Sequence, residues 1–168
     1  MLGADDFRRV LGHFASGVTI VTTRDGAGRP AGLTASAFTS VSLNPPLVLV
    51  CVAHNAQSYE ILQGADRFAI NILEVGQEAL SNRFATKSST AAEKFDGVAH
   101  KEGALGLPLL TDALAHLECS TAHAYPGGDH TIFVGQVEAG SSRVDEGPEP
   151  LLYYCGRYNR LKTPGGSR

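Results

Sequence analysis

The chain has 168 residues, of which 43% are hydrophobic and 18% charged, and a formal net charge of -3. That length suits one domain with a real hydrophobic core, and the composition excludes an intrinsically disordered chain. The charge gives no global attraction for nucleic acid or an anionic membrane, and no apolar run approaches the roughly 20 residues that cross a bilayer. The protein is therefore expected to be cytoplasmic, without nucleic-acid or membrane partners. Residues 1–161 are expected to form one domain and 162–168 a flexible tail.

Phe7, Val10, Leu11 and Phe14 recur at helical spacing, with Asp5, Asp6, Arg8 and Arg9 on the other positions. This pattern predicts an N-terminal helix ended by Gly17. The β-branched run 18–23, the turn-rich DGAGRP at 25–30 and the small-residue run 31–38 predict a hairpin. After Asn44-Pro45-Pro46, the apolar run 47–52 predicts a strand buried on both faces. Helical character returns at 57–62, with Asn55 or Ser58 as cap, and 67–73 alternates Phe68, Ile70 and Ile72 against Ala69, Asn71 and Leu73.

Leu80 and Phe84, four residues apart, share one face of a short helix predicted at 77–84. Residues 85–110 are less regular and can cover a pocket or pack across an oligomer interface. Strands at 117–123, 131–138 and 151–155 complete a mainly β chain with short helices. There is no regular βαβ rhythm, so the expected architecture is a closed antiparallel barrel, which removes exposed strand edges.

The chain has no GxGxxG after a strand, no GxxxxGK[ST], no HExxH and no GxSxG. Dinucleotide-fold, P-loop, zinc-protease and hydrolase readings therefore lack motif support. Cys51, Cys119 and Cys155 stand far apart, and no histidine pair has convincing metal spacing, so the thiols read as core filling and no metal site is expected.

The most distinctive stretch is GLTASAFTSVSLNPPLVLVCV at 32–52. Small Ala35 and Ala37 leave the backbone accessible to a flat polar ligand, while Thr34, Ser36 and Ser40 add hydroxyls; a half-buried sheet edge has the same composition. Asn55 and Ser58 can donate to an anion or cap a helix, and Arg83 can fork onto a phosphate or remain solvated. His130 follows Gly127-Gly128-Asp129 and starts a strand, so a turn can hold its ring over a cavity or against Asp129. Arg157 and Tyr158 can contact a dinucleotide or pack at an interface.

GVTIVTT at 17–23, the 32–52 stretch, FAINIL at 68–73, LSNRFA at 80–85, GDHTIFVGQVE at 128–138 and PLLYYCGRYNRL at 150–161 occur in that order. Together they resemble the short-chain flavin reductases over nearly the whole chain. The resemblance implies a homodimer of split β-barrels that binds FMN or FAD near the subunit interface. It also implies NADH or NADPH as hydride donor and release of reduced flavin to a separate monooxygenase.

Carried onto this sequence, the resemblance implies flavin contacts from Thr34, Ala35, Ser36, Ala37 and Ser40, and from backbone groups of Cys51 and Val52. Asn55, Ser58, Arg83 and Phe84 join them. His130 is the catalytic candidate beside flavin and nicotinamide, with Arg157 and Tyr158 as candidates for the nicotinamide dinucleotide. Two alternatives stay open: an oxidoreductase with tightly bound flavin acting on another small molecule, and a non-enzymatic flavin- or haem-binding split-barrel protein.

Overall fold

The computed structural model describes residues 2–143 and 149–162. In chain order the helices are α1 (Ala4–Leu11), α2 (Tyr59–Gln63), α3 (Glu78–Ala85) and a 3-10 turn at Ala92–Phe95. The strands are β1 (Ser16–Gly17), β2 (Thr19–Arg24), β3 (Pro30–Ala35), β4 (Phe38–Leu43), β5 (Pro46–Ala53), β6 (Arg67–Ile72), β7 (His100–Glu102), β8 (Pro108–Leu110), β9 (Ala115–Gly127), β10 (His130–Ser142), β11 (Leu152–Tyr154) and β12 (Arg157–Asn159). Apart from Lys162, the predicted flexible tail lies outside the described residues.

The main sheet has seven antiparallel strands in the order β3-β2-β6-β9-β10-β5-β4. It is mainly β with short helices, as expected, but no ladder closes β3 onto β4 among the described residues. Among the described residues β3 and β4 are thus the terminal strands of this sheet. The strand predicted at 31–38 ends at Ala35, and a second strand starts at Phe38. Ser36 and Ala37 make the break because their carbonyls serve Phe38 N at 3.0 Å and Cys51 N at 2.9 Å. The two edges of the sheet are therefore consecutive in the chain.

Strands β2 and β6 lie inside the sheet and are buried on both faces, which explains their β-branched and apolar composition. Val21, Phe68 and Ile70 join one core cluster with Val50, Leu62 and Phe133, while Ile20 joins another with Leu73, Phe84, Phe95 and Leu151. Asn71, fully buried on β6, donates to Ile20 O at 2.9 Å and accepts from Leu110 N at 2.8 Å, so its amide costs little to bury. The run predicted to be buried on both faces, β5, instead buries Val48, Val50 and Val52 and leaves Leu47, Leu49 and Cys51 only half-buried. It lies next to the edge strand β4, and its second face meets a cavity rather than a packed layer.

Helix α1 ends at Leu11 with Gly12 as its cap, ahead of the predicted Gly17, and the next amides turn to tighter bonds three residues back, His13 N to Val10 O at 3.1 Å and Phe14 N to Leu11 O at 3.0 Å. None of its residues is buried. Phe7, Val10 and Leu11 are each more than half exposed, and Phe14, beyond the helix, is 81% exposed.

Candidate functional site

Two cavities flank the junction of β3 and β4. One, of about 840 Å³, is lined by Ser36, Ala37, Phe38 and Thr39 of the junction, by Leu49 and Cys51 of β5, and by the apolar side of the N-terminal segment. The other, of about 280 Å³, is lined by Thr34, Asn55, Gln57, Thr86, Lys87 and Lys94, with Phe84 at its base. One short stretch of backbone, Thr34 to Ala37, thus borders a largely apolar space and a polar, cationic one. The first suits a flat ring system and the second an anionic group.

Local packing fixes this stretch. Thr34 Oγ1 donates to Ser81 O at 2.6 Å, and the Ala35 carbonyl accepts from Thr19 Oγ1 at 2.7 Å. Gly32 precedes them in β3 because a Cβ there would meet the Phe84 ring and the Val21 carbonyl, each at 2.9 Å. Ser58 Oγ donates to Gly32 O at 2.8 Å, bracing β3 from the start of α2. Gln57 ties the loop after β5 to the loop after α3, donating to Ser88 O at 2.7 Å and accepting from Ser88 N at 3.0 Å.

The predicted residues fall into several groups. Ser36, Ala37 and Cys51 line the larger cavity, and Thr34, Asn55 and Phe84 line the smaller. Burial raises the Cys51 thiol above its ordinary value, which makes it a packing group rather than a nucleophile. Ala35 and the Val52 side chain both lie in the core. Ser40 stands exposed on β4, opposite Val48, and borders neither cavity. Ser58 is consumed by its bond to Gly32, neither capping α2 with its side chain nor lining a cavity.

Arg83 also borders neither cavity: its Nη2 donates to Glu93 O at 3.0 Å and Asp96 O at 2.6 Å. His130 opens β10 with its Nδ1 2.7 Å from Asp129 Oδ1, and its side chain is 42% exposed. That contact holds the Asp129 carboxyl below the ordinary carboxylate range. Arg157 is exposed on β12, while the Tyr158 hydroxyl donates to Asn82 Oδ1 at 2.7 Å and so packs against α3. His130, Arg157 and Tyr158 line neither of the two cavities.

Sequence reasoning missed Lys94, Lys87 and Gln57. Lys94 occupies a segment that reads as an irregular turn, and its only signal was a lysine directly before the apolar Phe95. Phe95 packs edge-on to Phe84 with ring centroids 5.0 Å apart, which draws Lys94 inward. The lysine is 3% exposed, and its Nζ donates to Phe84 O at 3.0 Å.

Fold and site define a mainly β chain with a two-part ligand cleft at a strand junction, and the comparisons agree. Residues 11–162 match the family described as Flavin reductase like domain, and the chain belongs to that family. It is similar to the solved NADH:FAD oxidoreductase of Streptomyces globisporus, with 42% identity and a TM-score of 0.88, covering 95% of this chain and 94% of that one. It is 42% identical over 158 residues to the reductase component of 4-hydroxyphenylacetate 3-monooxygenase from Thermus thermophilus, covering 94% of this chain and 97% of that protein. A Rhizobium meliloti relative, 46% identical over 132 residues, is longer, and this chain spans 42% of it.

Proposed function

We propose that this chain is an NAD(P)H-dependent flavin reductase that supplies reduced FMN or FAD to a partner monooxygenase. The observation that carries the reading is the Thr34 to Ala37 backbone, bordered by an apolar cavity on one side and a cationic one on the other. A flavin has that same division between ring and phosphate. The names of the relatives support both halves: one is an NADH:FAD oxidoreductase and another the reductase component of a monooxygenase.

When bound, flavin supplies a hydride acceptor for reduced nicotinamide. The chain's own work is then binding and orientation rather than covalent catalysis. Exposed Ser36 and Ala37 offer backbone and hydroxyl groups to a polar ring edge, with Leu49 and Cys51 packing beside them. Thr34 and Asn55 face the polar continuation. Asp129 Oδ1, 2.7 Å from His130 Nδ1, orients the ring at the start of β10 and leaves Nε2 for the ligand. Arg157 and Tyr158 belong to this reading as nicotinamide-dinucleotide contacts, and Ser40, Val52, Ser58, Arg83 and Phe84 as the frame around the flavin.

The same reading includes a split barrel, a single domain over 1–161 and a homodimer. The covalent continuity of the two sheet edges through Ser36 and Ala37 supports the barrel. Phe7, Val10, Leu11 and Phe14 support the dimer, because their exposed surface is what a second copy would bury. Phe14→Glu is expected to shift the mass measured by light scattering toward the monomer. An unchanged mass would count against this interface.

Stopped-flow mixing of NADH and of NADPH with the protein and FMN or FAD tests the activity. Loss of the oxidised-flavin absorbance is expected with at least one pair, and its absence with all four overturns the reading. His130→Ala is expected to slow nicotinamide-dependent turnover while leaving flavin affinity in place.

A further inference from the structure

We propose that Cys155 is a thiol-modification site that takes a small disulfide bearing carboxylates, and that the resulting mixed disulfide obstructs the larger cavity. The consequence for flavin rests on the flavin-reductase reading. The modification itself rests on the side chains around the thiol.

The sequence reads this thiol as core filling, yet it is exposed. Cys155 and Gly156 form the two-residue turn between β11 and β12, with φ of 49° and 75°, a place that favours asparagine or glycine. The turn leans on the end of α1, where Cys155 N donates to Gly12 O at 2.8 Å. The thiol does not stand alone. His13 Nδ1 lies 3.7 Å from Cys155 Sγ and 3.4 Å from the Tyr154 hydroxyl. The Cys155 thiolate holds the Tyr154 phenol above its ordinary value, first through a hydrogen bond and then through charge, so the phenol stays protonated beside the sulfur.

A third cavity, of about 300 Å³, is lined by Arg8, Arg9, Gly12, His13, Cys155 and Gly156. Arg8 Nη1 and Arg9 Nη2 pair with Asp5 and Asp6, but neither carboxylate lines the cavity, and the remaining guanidinium donors are left for an anion. One space thus joins a nucleophilic sulfur, a proton acceptor and two cations.

In the exchange, His13 Nδ1 takes the thiol proton and Sγ attacks one sulfur of the disulfide. A bond forms between Sγ and that sulfur, the original S–S bond breaks, and the other half leaves as a thiolate. The cysteine is oxidised and the departing half reduced, so no further oxidant is needed. Arg8, Gly12 and Gly156 line the larger cavity as well, which puts the added group at the wall the two share.

Oxidised glutathione serves as the carboxylate-bearing probe and cystamine as the cationic one, with intact mass following adduct formation near neutrality. Wild type is expected to gain one glutathionyl group, and Cys155→Asn, which suits the turn, none. His13→Asn is expected to slow both probes. Arg9, which does not border the larger cavity, gives the charge test: Arg9→Gln is expected to slow oxidised glutathione by about two- to fivefold while sparing cystamine. Flavin affinity read by fluorescence is expected to fall at least about fivefold in the adduct, to recover with dithiothreitol, and to stay unchanged throughout in Cys155→Asn.

An adduct that forms equally on Cys155→Asn, or rates indifferent to His13→Asn and Arg9→Gln, overturn the site. An adduct that binds flavin as tightly as the free thiol overturns the obstruction. Modification that needs Cys155 and Arg9, in a protein that binds no flavin in either form, upholds the site and removes the flavin reading.

Discussion

The Ser58 hydroxyl donates to the Gly32 carbonyl across 2.8 Å, joining the start of α2 to the middle of β3. Both residues are buried, and Gly32 leaves no room for a side chain against Phe84. The bond therefore sets the height of β3 just before it reaches Thr34 and the cavities. Ser58→Ala removes the donor and leaves a buried carbonyl unsatisfied, with an expected loss of about 1–3 kcal/mol in urea unfolding. A change within experimental scatter would mean that another donor replaces the hydroxyl.

Gly135 on β10 makes a second close approach. A Cβ built there would lie 2.5 Å from Phe68 Cζ and 2.7 Å from Cys119 Cβ, both in the packed core. Gly135→Ala must push rings or backbone aside and is expected to destabilise the protein by about 1–3 kcal/mol. Differential scanning calorimetry against wild type measures it; an unshifted transition would show that the core has slack here.

The three thiols should react in an order set by burial. Cys155 is exposed, and Cys51 is half-buried with its thiol raised by burial. Cys119 is buried and pushed up to about 12, first by burial and then by Glu138 and Glu118. Thiol-disulfide reagents attack the thiolate, so native protein near neutrality should label rapidly at Cys155 and at Cys119 only after unfolding. Peptide mapping that finds Cys119 labelled before Cys155 contradicts this packing.

Burial lowers Lys94 from the ordinary lysine value of 10.5. A base with a depressed folded value releases its proton in the native state while the unfolded chain still holds it. In the window below 10.5 the unfolded state therefore binds more protons, and this lysine's contribution makes unfolding harder as pH rises. Urea titrations of ligand-free wild type and Lys94→Met across that window should show wild type gaining stability relative to the variant with rising pH. Parallel curves would indicate that the ammonium is not desolvated.

Much of the fold is legible along the chain. The hairpin of β2 and β3 follows from a β-branched run, a turn cluster and a small-residue run. The placement of β6 and α3 follows from their periodicity, and the cores of β9 and β10 from short apolar runs, although both strands extend well beyond those runs. The candidate cleft was partly legible too, since Thr34, Ser36, Ala37, Cys51, Asn55 and Phe84 all border one cavity or the other.

By itself the sequence determined the β2 to β3 hairpin, the strands β5, β6, β9 and β10, the family-bearing motifs and the small residues of the β3 to β4 junction, because periodicity and backbone permissiveness are local properties. Tertiary structure alone decided which polar groups remain free for a ligand. Ser58 looks like a phosphate donor in sequence, yet the Gly32 carbonyl takes its hydroxyl, and the Glu93 and Asp96 carbonyls take Nη2 of Arg83. Lys94 looks like a solvated charge in a turn, yet the packing of Phe95 on Phe84 carries it inside. A hydrogen bond to a distant backbone group, or burial beside a neighbour in the fold, depends on three-dimensional proximity that no local pattern records.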